Sequence, residues 1–151
     1  MYAIRLSCTR HARFWERVYH LSAGLALALA PLLARIGHQR LEPAAAALER
    51  ATKGPLFDCK MCGQCVLSQT GMSCPTNCAK GMRNGPCGGV RPDGHCEVVP
   101  TMRCVWVEAW EGSARMADGA GLRTILPPLD HRLSGRSAWL EWLRRQGGGR
   151  P

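Results

Sequence analysis

The sequence predicts a small metal-stabilised domain of irregular loops and short helices, with room for a short hairpin, in which N- and C-terminal helices flank a cysteine-rich core. Three observations predict it. Eight of the nine cysteines fall between Cys59 and Cys104. The same stretch carries Gly63, Gly71, Gly81, Gly85, Gly88, Gly89 and Gly94 with Pro75, Pro86 and Pro92, which interrupt any long helix or strand. On either side of it, apolar residues recur at helical spacing. The chain divides accordingly into an N-terminal helical region (1–56), a cysteine-rich metal- or cluster-binding domain (57–112), and a linker with a short C-terminal helix (113–151).

The candidate ligands are Cys59, Cys62, Cys65, Cys74, Cys78, Cys87, Cys96 and Cys104. Two four-thiolate sites would use all of them. Two residues between thiols let both side chains turn onto one ion or cluster, and Cys59, Cys62 and Cys65 repeat that spacing. This triple resembles the opening of a bacterial ferredoxin motif, although Cys74-Pro75 follows after eight residues instead of three. Zinc modules more often show two separated pairs. The spacing therefore favours two [4Fe–4S] clusters, with Zn2+ as the alternative. In the simplest partition the triple takes Cys96 or Cys104 as its fourth ligand, and Cys74, Cys78 and Cys87 take the other. Glycines beside the ligands, as in Gly85-Pro86-Cys87-Gly88-Gly89, let the backbone wrap close so that N–H groups point at sulfur. Lys60, Lys80, Arg83 and Arg103 are near enough in sequence to offset thiolate charge. His95 is read as a residue of the Asp93-Gly94-His95 turn rather than a ligand.

Disulfides would explain the cysteine count only in an exported chain, and three thiols packed into seven residues suit distant bridges poorly. An export signal is hard to read. The basic leader is long, contains Glu16, and is followed by Pro31 where cleavage would fall. A cytoplasmic protein is expected. The uncharged run from Leu21 to Ala34 is shorter than the about 20 residues that cross a bilayer, so no transmembrane segment is expected. Leu21, Leu25, Leu29, Leu32, Leu33 and Ile36 instead make an amphipathic helix, suited to a protein partner or to peripheral contact with a membrane. A second helix is predicted from Pro43 to Gly54-Pro55.

Together the runs CKMCGQC, TGMSCP, RNGPCGG and CVWVEAW, within residues 57 to 112, resemble the methylenetetrahydrofolate reductase C-terminal family. Ala79 departs from that family's CPxxCPK form and leaves every thiol in place. The resemblance implies a cysteine-rich accessory or electron-transfer subunit carrying iron–sulfur clusters or zinc, docked on a separate flavin-dependent methylenetetrahydrofolate reductase barrel in one-carbon folate metabolism. At 151 residues the chain is too short to hold a (β/α)8 barrel of about 250, so it is not expected to catalyse alone. Nor does it contain a Ser-His-Asp order or a Walker loop.

A formal charge of +9 would fall to about +5 with eight thiolates on two doubly charged cores or ions. A zinc-ribbon nucleic-acid binder is the weaker reading, because the arginines are spread along the chain without interleaved aromatics, and no nucleic-acid partner is expected. Past the cysteines, Trp106 and Trp110 share a face and supply a small core or a docking surface. Residues 112 to 125 read as a linker and 126 to 131 as an extended segment. Ser137 caps a short helix through Trp139, Leu140, Trp142 and Leu143 to Arg144 and Arg145, with Gly147 beyond it, which latches onto this chain or onto another.

Overall fold

The computed structural model describes residues 2–146; Gly147 and the rest of the glycine-rich tail lie outside them. Five helices form: α1 (Tyr2–Arg10), α2 (Ala12–Ile36), α3 (His38–Phe57), α4 (Val105–Arg115) and α5 (Ala138–Gln146). Single 3-10 turns occur at Pro75–Asn77, Gly119–Arg123 and His131–Leu133. Among the described residues the only β pairing is two isolated antiparallel bridges, Val90 with Cys96 and His95 with Arg103, so the hairpin shrinks to two contacts.

Both N-terminal helices are longer than their local signals. The α2 helix runs back to Ala12 and through Pro31, and at 25 residues it is long and apolar enough to cross a membrane by length and composition. This corrects the expectation of too short a run, which counted only the uncharged residues. Gly37, at φ 95°, separates α2 from α3 in a conformation that favours glycine. The α3 helix starts at His38 rather than Pro43 and passes Gly54 and Pro55 to reach Phe57. Phe57 packs edge-on against Trp15 with ring centroids 5.5 Å apart. Burying that ring is worth about 2 kcal/mol, which offsets most of the about 3 kcal/mol that a proline costs inside a helix. Asp58 then ends the helix in the left-handed region.

The main core joins the N-terminal helices to the cysteine segment. Cys8, Ala12, Phe57, Leu67, Met72 and Cys74 form one buried cluster, flanked by Trp15, Tyr19 and Cys65. Buried carboxylates then tie the later chain to the earlier helices. Glu16 of α2 accepts from the backbone N–H of Ala117 (2.7 Å) and Asp118 (2.9 Å). Glu49 of α3 accepts from the Ser137 hydroxyl (2.5 Å), the Trp139 N–H (2.9 Å) and the Lys53 ammonium (2.8 Å). Glu108 of α4 faces Arg5 of α1 at 3.4 Å, both nearly sealed from solvent. Burial, against the pull of Arg5, raises the Glu108 pKa above the usual carboxylate range.

Residues 113–125 are not a loose linker. The α4 helix continues to Arg115, and the Gly119–Arg123 turn packs on α4, with Gly119 against the Ser113 carbonyl. Only glycine fits there, since a Cβ would come within 2.2 Å of that oxygen. The α5 helix is capped by Ser137, whose Oγ accepts from the Leu140 N–H at 3.2 Å, and it folds back on α2 and α3. Its latch is therefore within this chain: Trp139 meets Tyr19 at 5.1 Å and lies under the Lys53 ammonium.

Candidate metal centre

Left-handed backbone at Asp58, Met61 and Gly63 turns the chain sharply after α3. Through these turns Cys59, Cys62 and Cys65 line one small cavity. Cys74 lines it too, carried there by the tight turn over Met72 (φ 60°). The structure thus places Cys74 with the triple, where spacing had suggested Cys96 or Cys104. All four are free thiols, and no disulfide forms among the described residues. The Met61 N–H points at Cys59 Sγ at 3.4 Å, the wrapping expected around a thiolate.

The cavity wall is cationic. Arg83 is buried there and donates from Nη2 to the Gln64 carbonyl at 3.0 Å, but its Nε and Nη1 have no partner. Lys53 lines the same wall. Burial works against its charge, yet Cys65, Glu49 and Cys59 outweigh that and raise its pKa. Burial also pushes the Cys74 thiol up to about 12, despite hydrogen bonds from Thr76, and raises Cys59. Ionising these thiols therefore requires a compensating cation, which a bound metal supplies.

The other four thiols occupy the loop from 78 to 104. Cys96 is buried, Cys87 is exposed, and Cys78 and Cys104 are half-buried. The Gly89 N–H points at Cys87 Sγ at 3.4 Å, the wrapping expected of the Gly85-Pro86-Cys87-Gly88-Gly89 run. Lys80 stands beside Cys87 and pairs with Glu97. Cys104 faces a different space, an apolar groove of 530 Å³ that also holds Trp106, Trp110 and Leu126. Among the described residues no three His, Cys, Asp or Glu side chains converge closely enough to ligate one ion. His95 sits in its predicted turn, its N–H donating to Asp93 Oδ1 at 3.0 Å.

Does the first site suit a thiolate-bound group? Two unpaired guanidinium nitrogens in a buried wall call for negative charge, which four thiolates around a metal would provide. By chemistry the four thiols suit either a tetrahedral zinc or a [4Fe–4S] cluster, but no three of them converge on one point as they stand, so binding either would draw the loops inward. Sequence reasoning singled out Arg83 but missed Lys53. Its signal was the Glu49/Lys53 spacing, which puts the ammonium on the inner face of α3 one turn before the first thiol.

A strap from Leu126 to Ser137 closes over this loop. Gly135 donates to the Met61 carbonyl at 2.7 Å, and Gln64 donates to the Asp130 carbonyl at 3.2 Å. Gly63 allows the approach: a Cβ there would lie 2.3 Å from the Leu133 carbonyl oxygen, and its φ of 72° already favours glycine.

This is a helix-framed fold with free thiols at its centre. Residues 38–132 match the family described as Methylene-tetrahydrofolate reductase C terminal, and the chain belongs to that family. No curated protein and no solved structure matches the chain.

Proposed function

We propose that the chain is a cytoplasmic, metal-stabilised accessory module of a methylenetetrahydrofolate reductase, holding [4Fe–4S] clusters on its eight cysteines and exchanging electrons with the flavin of a separate catalytic barrel. The observation that carries this reading is that Cys59, Cys62, Cys65 and Cys74 line one cavity whose wall contains the half-satisfied guanidinium of Arg83. A cluster bound there would supply a one-electron carrier. The chain's own residues do the rest. Four thiols hold it, Arg83 and Lys53 balance its charge, the Met61 N–H polarises a sulfur, and the strap keeps water away. The family membership supports the reductase as partner. The exposed Trp110, beside the groove at Cys104, offers a surface for that partner.

One observation favours a second reading. The cavity among the four thiols measures 20 Å³, room for a body the size of a single ion. A zinc-stabilised, redox-silent interaction module for the same reductase fits that volume once the loops draw the four sulfurs together.

Metal and sulfide analysis with a visible spectrum, on protein purified without oxygen, tests the proposal. Iron and sulfide in cubane ratio, with a broad band near about 400 nm that dithionite bleaches, is the expected result. Colourless protein with stoichiometric zinc overturns the electron-transfer role and selects the second reading.

A further inference from the structure

We propose that α2 seats this protein in the plane of an anionic lipid surface, apolar face inward and arginines at the headgroups. The helix carries a long unpartnered stripe: Phe14, Leu21, Leu25, Leu29, Leu32 and Ile36 are all exposed, Leu21 by 75% and Leu25 by 63%. At 100° per residue these six fall within an arc of about 80°. Arg17 and Arg35 lie about 40° outside one edge of that arc, with Arg13 a step further. The stripe is thus apolar in the middle and cationic along one rim.

Charge decides what covers it. The acids of α2 and α3 are Glu16, Glu42 and Glu49, and each is engaged inward. Glu16 holds the N–H groups of Ala117 and Asp118, Glu42 holds the Ser137 N–H and Arg144, and Glu49 holds Ser137, Trp139 and Lys53. The outer surface of the two helices is left with exposed Arg13, Arg17, Arg35, Arg40 and Arg50 and no free carboxylate. A second copy packed stripe to stripe would bring like charges together with nothing to pair them. A bilayer of acidic lipid accepts both features, leucines among the upper acyl carbons and guanidiniums at the phosphates.

Length alone would allow α2 to span a membrane, but its neighbour forbids that. The α3 helix turns at Gly37 and packs back along α2, so a spanning α2 would take Arg40, Glu42, Glu49 and Arg50 to bilayer depth. Lying in the plane submerges none of them.

Co-sedimentation of the full chain with vesicles of phosphatidylcholine alone, and of phosphatidylcholine with phosphatidylserine, tests the proposal. The expected result is partitioning onto the mixed vesicles about tenfold or more above the neutral ones, falling as salt is raised. Leu25→Glu with Leu29→Glu should lower it by a further factor of about ten with an unchanged helical spectrum, because both side chains are exposed. Arg17→Glu with Arg35→Glu should remove the preference for acidic lipid, and this pair decides the matter if the leucine variant misfolds. Equal binding to both vesicle types, no binding at low salt, or resistance to alkaline carbonate extraction overturns the proposal. So does a solution dimer that the leucine variant dissolves in the absence of lipid. The inference stands on α2 and its neighbours, whatever the thiols hold.

Discussion

Arg83 and Cys74 state the chemistry of the site most sharply, because each is costly as it stands without a bound cation. Arg83 keeps two buried nitrogens, Nε and Nη1, without acceptors, at about 1 to 3 kcal/mol each in an unrelieved site. Arg83→Met should therefore leave the metal-free fold as stable or more so, while weakening metal retention about tenfold or more in chelator competition. Cys74→Ala should lose the metal of the first site outright. Cys8→Ala, buried in the same core but not lining the cavity, should keep the metal and cost about 1 kcal/mol of packing. Both thiols also predict a pH dependence. Burial raises Cys74 from 9.0 to about 12 and Cys8 from 9.0 to about 11, so the neutral forms stabilise the fold fully below pH 9. That contribution is lost as pH rises from 9.0 toward the folded values. Urea unfolding of metal-free protein should show falling stability above pH 9, and Cys8→Ala should remove part of the slope. The thiols themselves were legible from spacing. Their grouping was not, since Cys74 reaches the triple through two successive left-handed residues, Gly71 and Met72; the glycine signals a turn, but the methionine gives no warning in sequence.

At the scale of elements, the C-terminal helix is held by polar contacts more than by area. Glu49→Gln keeps the shape but removes the charge that Ser137, Trp139 and Lys53 all address, and should cost about 2 to 3 kcal/mol in chemical denaturation. Ser137→Ala removes the cap and one of those donors, at about 1 kcal/mol. Trp139 emission should shift red in both, as its ring leaves Tyr19. The Ser137 cap and the α5 helix were readable locally, because cap, periodicity and terminal arginines sit within ten residues. The docking was not, since Glu49 and Ser137 are far apart in the chain and nothing in either neighbourhood names the other. The same holds for α3. Gly54-Pro55 reads as a stop, and the helix continues because Phe57 has Trp15 to pack against.

For the whole molecule, helices and thiol loops share one core, so metal and fold should rise and fall together. Removing the metal with a strong chelator should lower the unfolding temperature by about 10 °C or more and loosen residues 58–74 first, as read by hydrogen exchange. Gly63→Ala offers a control that touches no ligand. Its Cβ meets the Leu133 carbonyl and its φ of 72° is strained, so it should cost at least about 2 kcal/mol and lift the strap. The cysteine-rich centre and its flanking helices follow from spacing and composition. The way the tail closes on the centre depends on backbone-to-backbone contacts such as Gly135 to Met61, which carry no side-chain signature.

That closure sets an order of events. During synthesis the loop from Cys59 to Cys74 leaves the ribosome well before Leu126 to Ser137 exist, and for that interval its thiols lie open to whatever delivers their cargo. Once the tail is made and Ser137 reaches Glu49, the door shuts from outside. On the function proposed above, a chain charged before that closure would hold its load behind the strap, and one that finishes empty would fill more slowly.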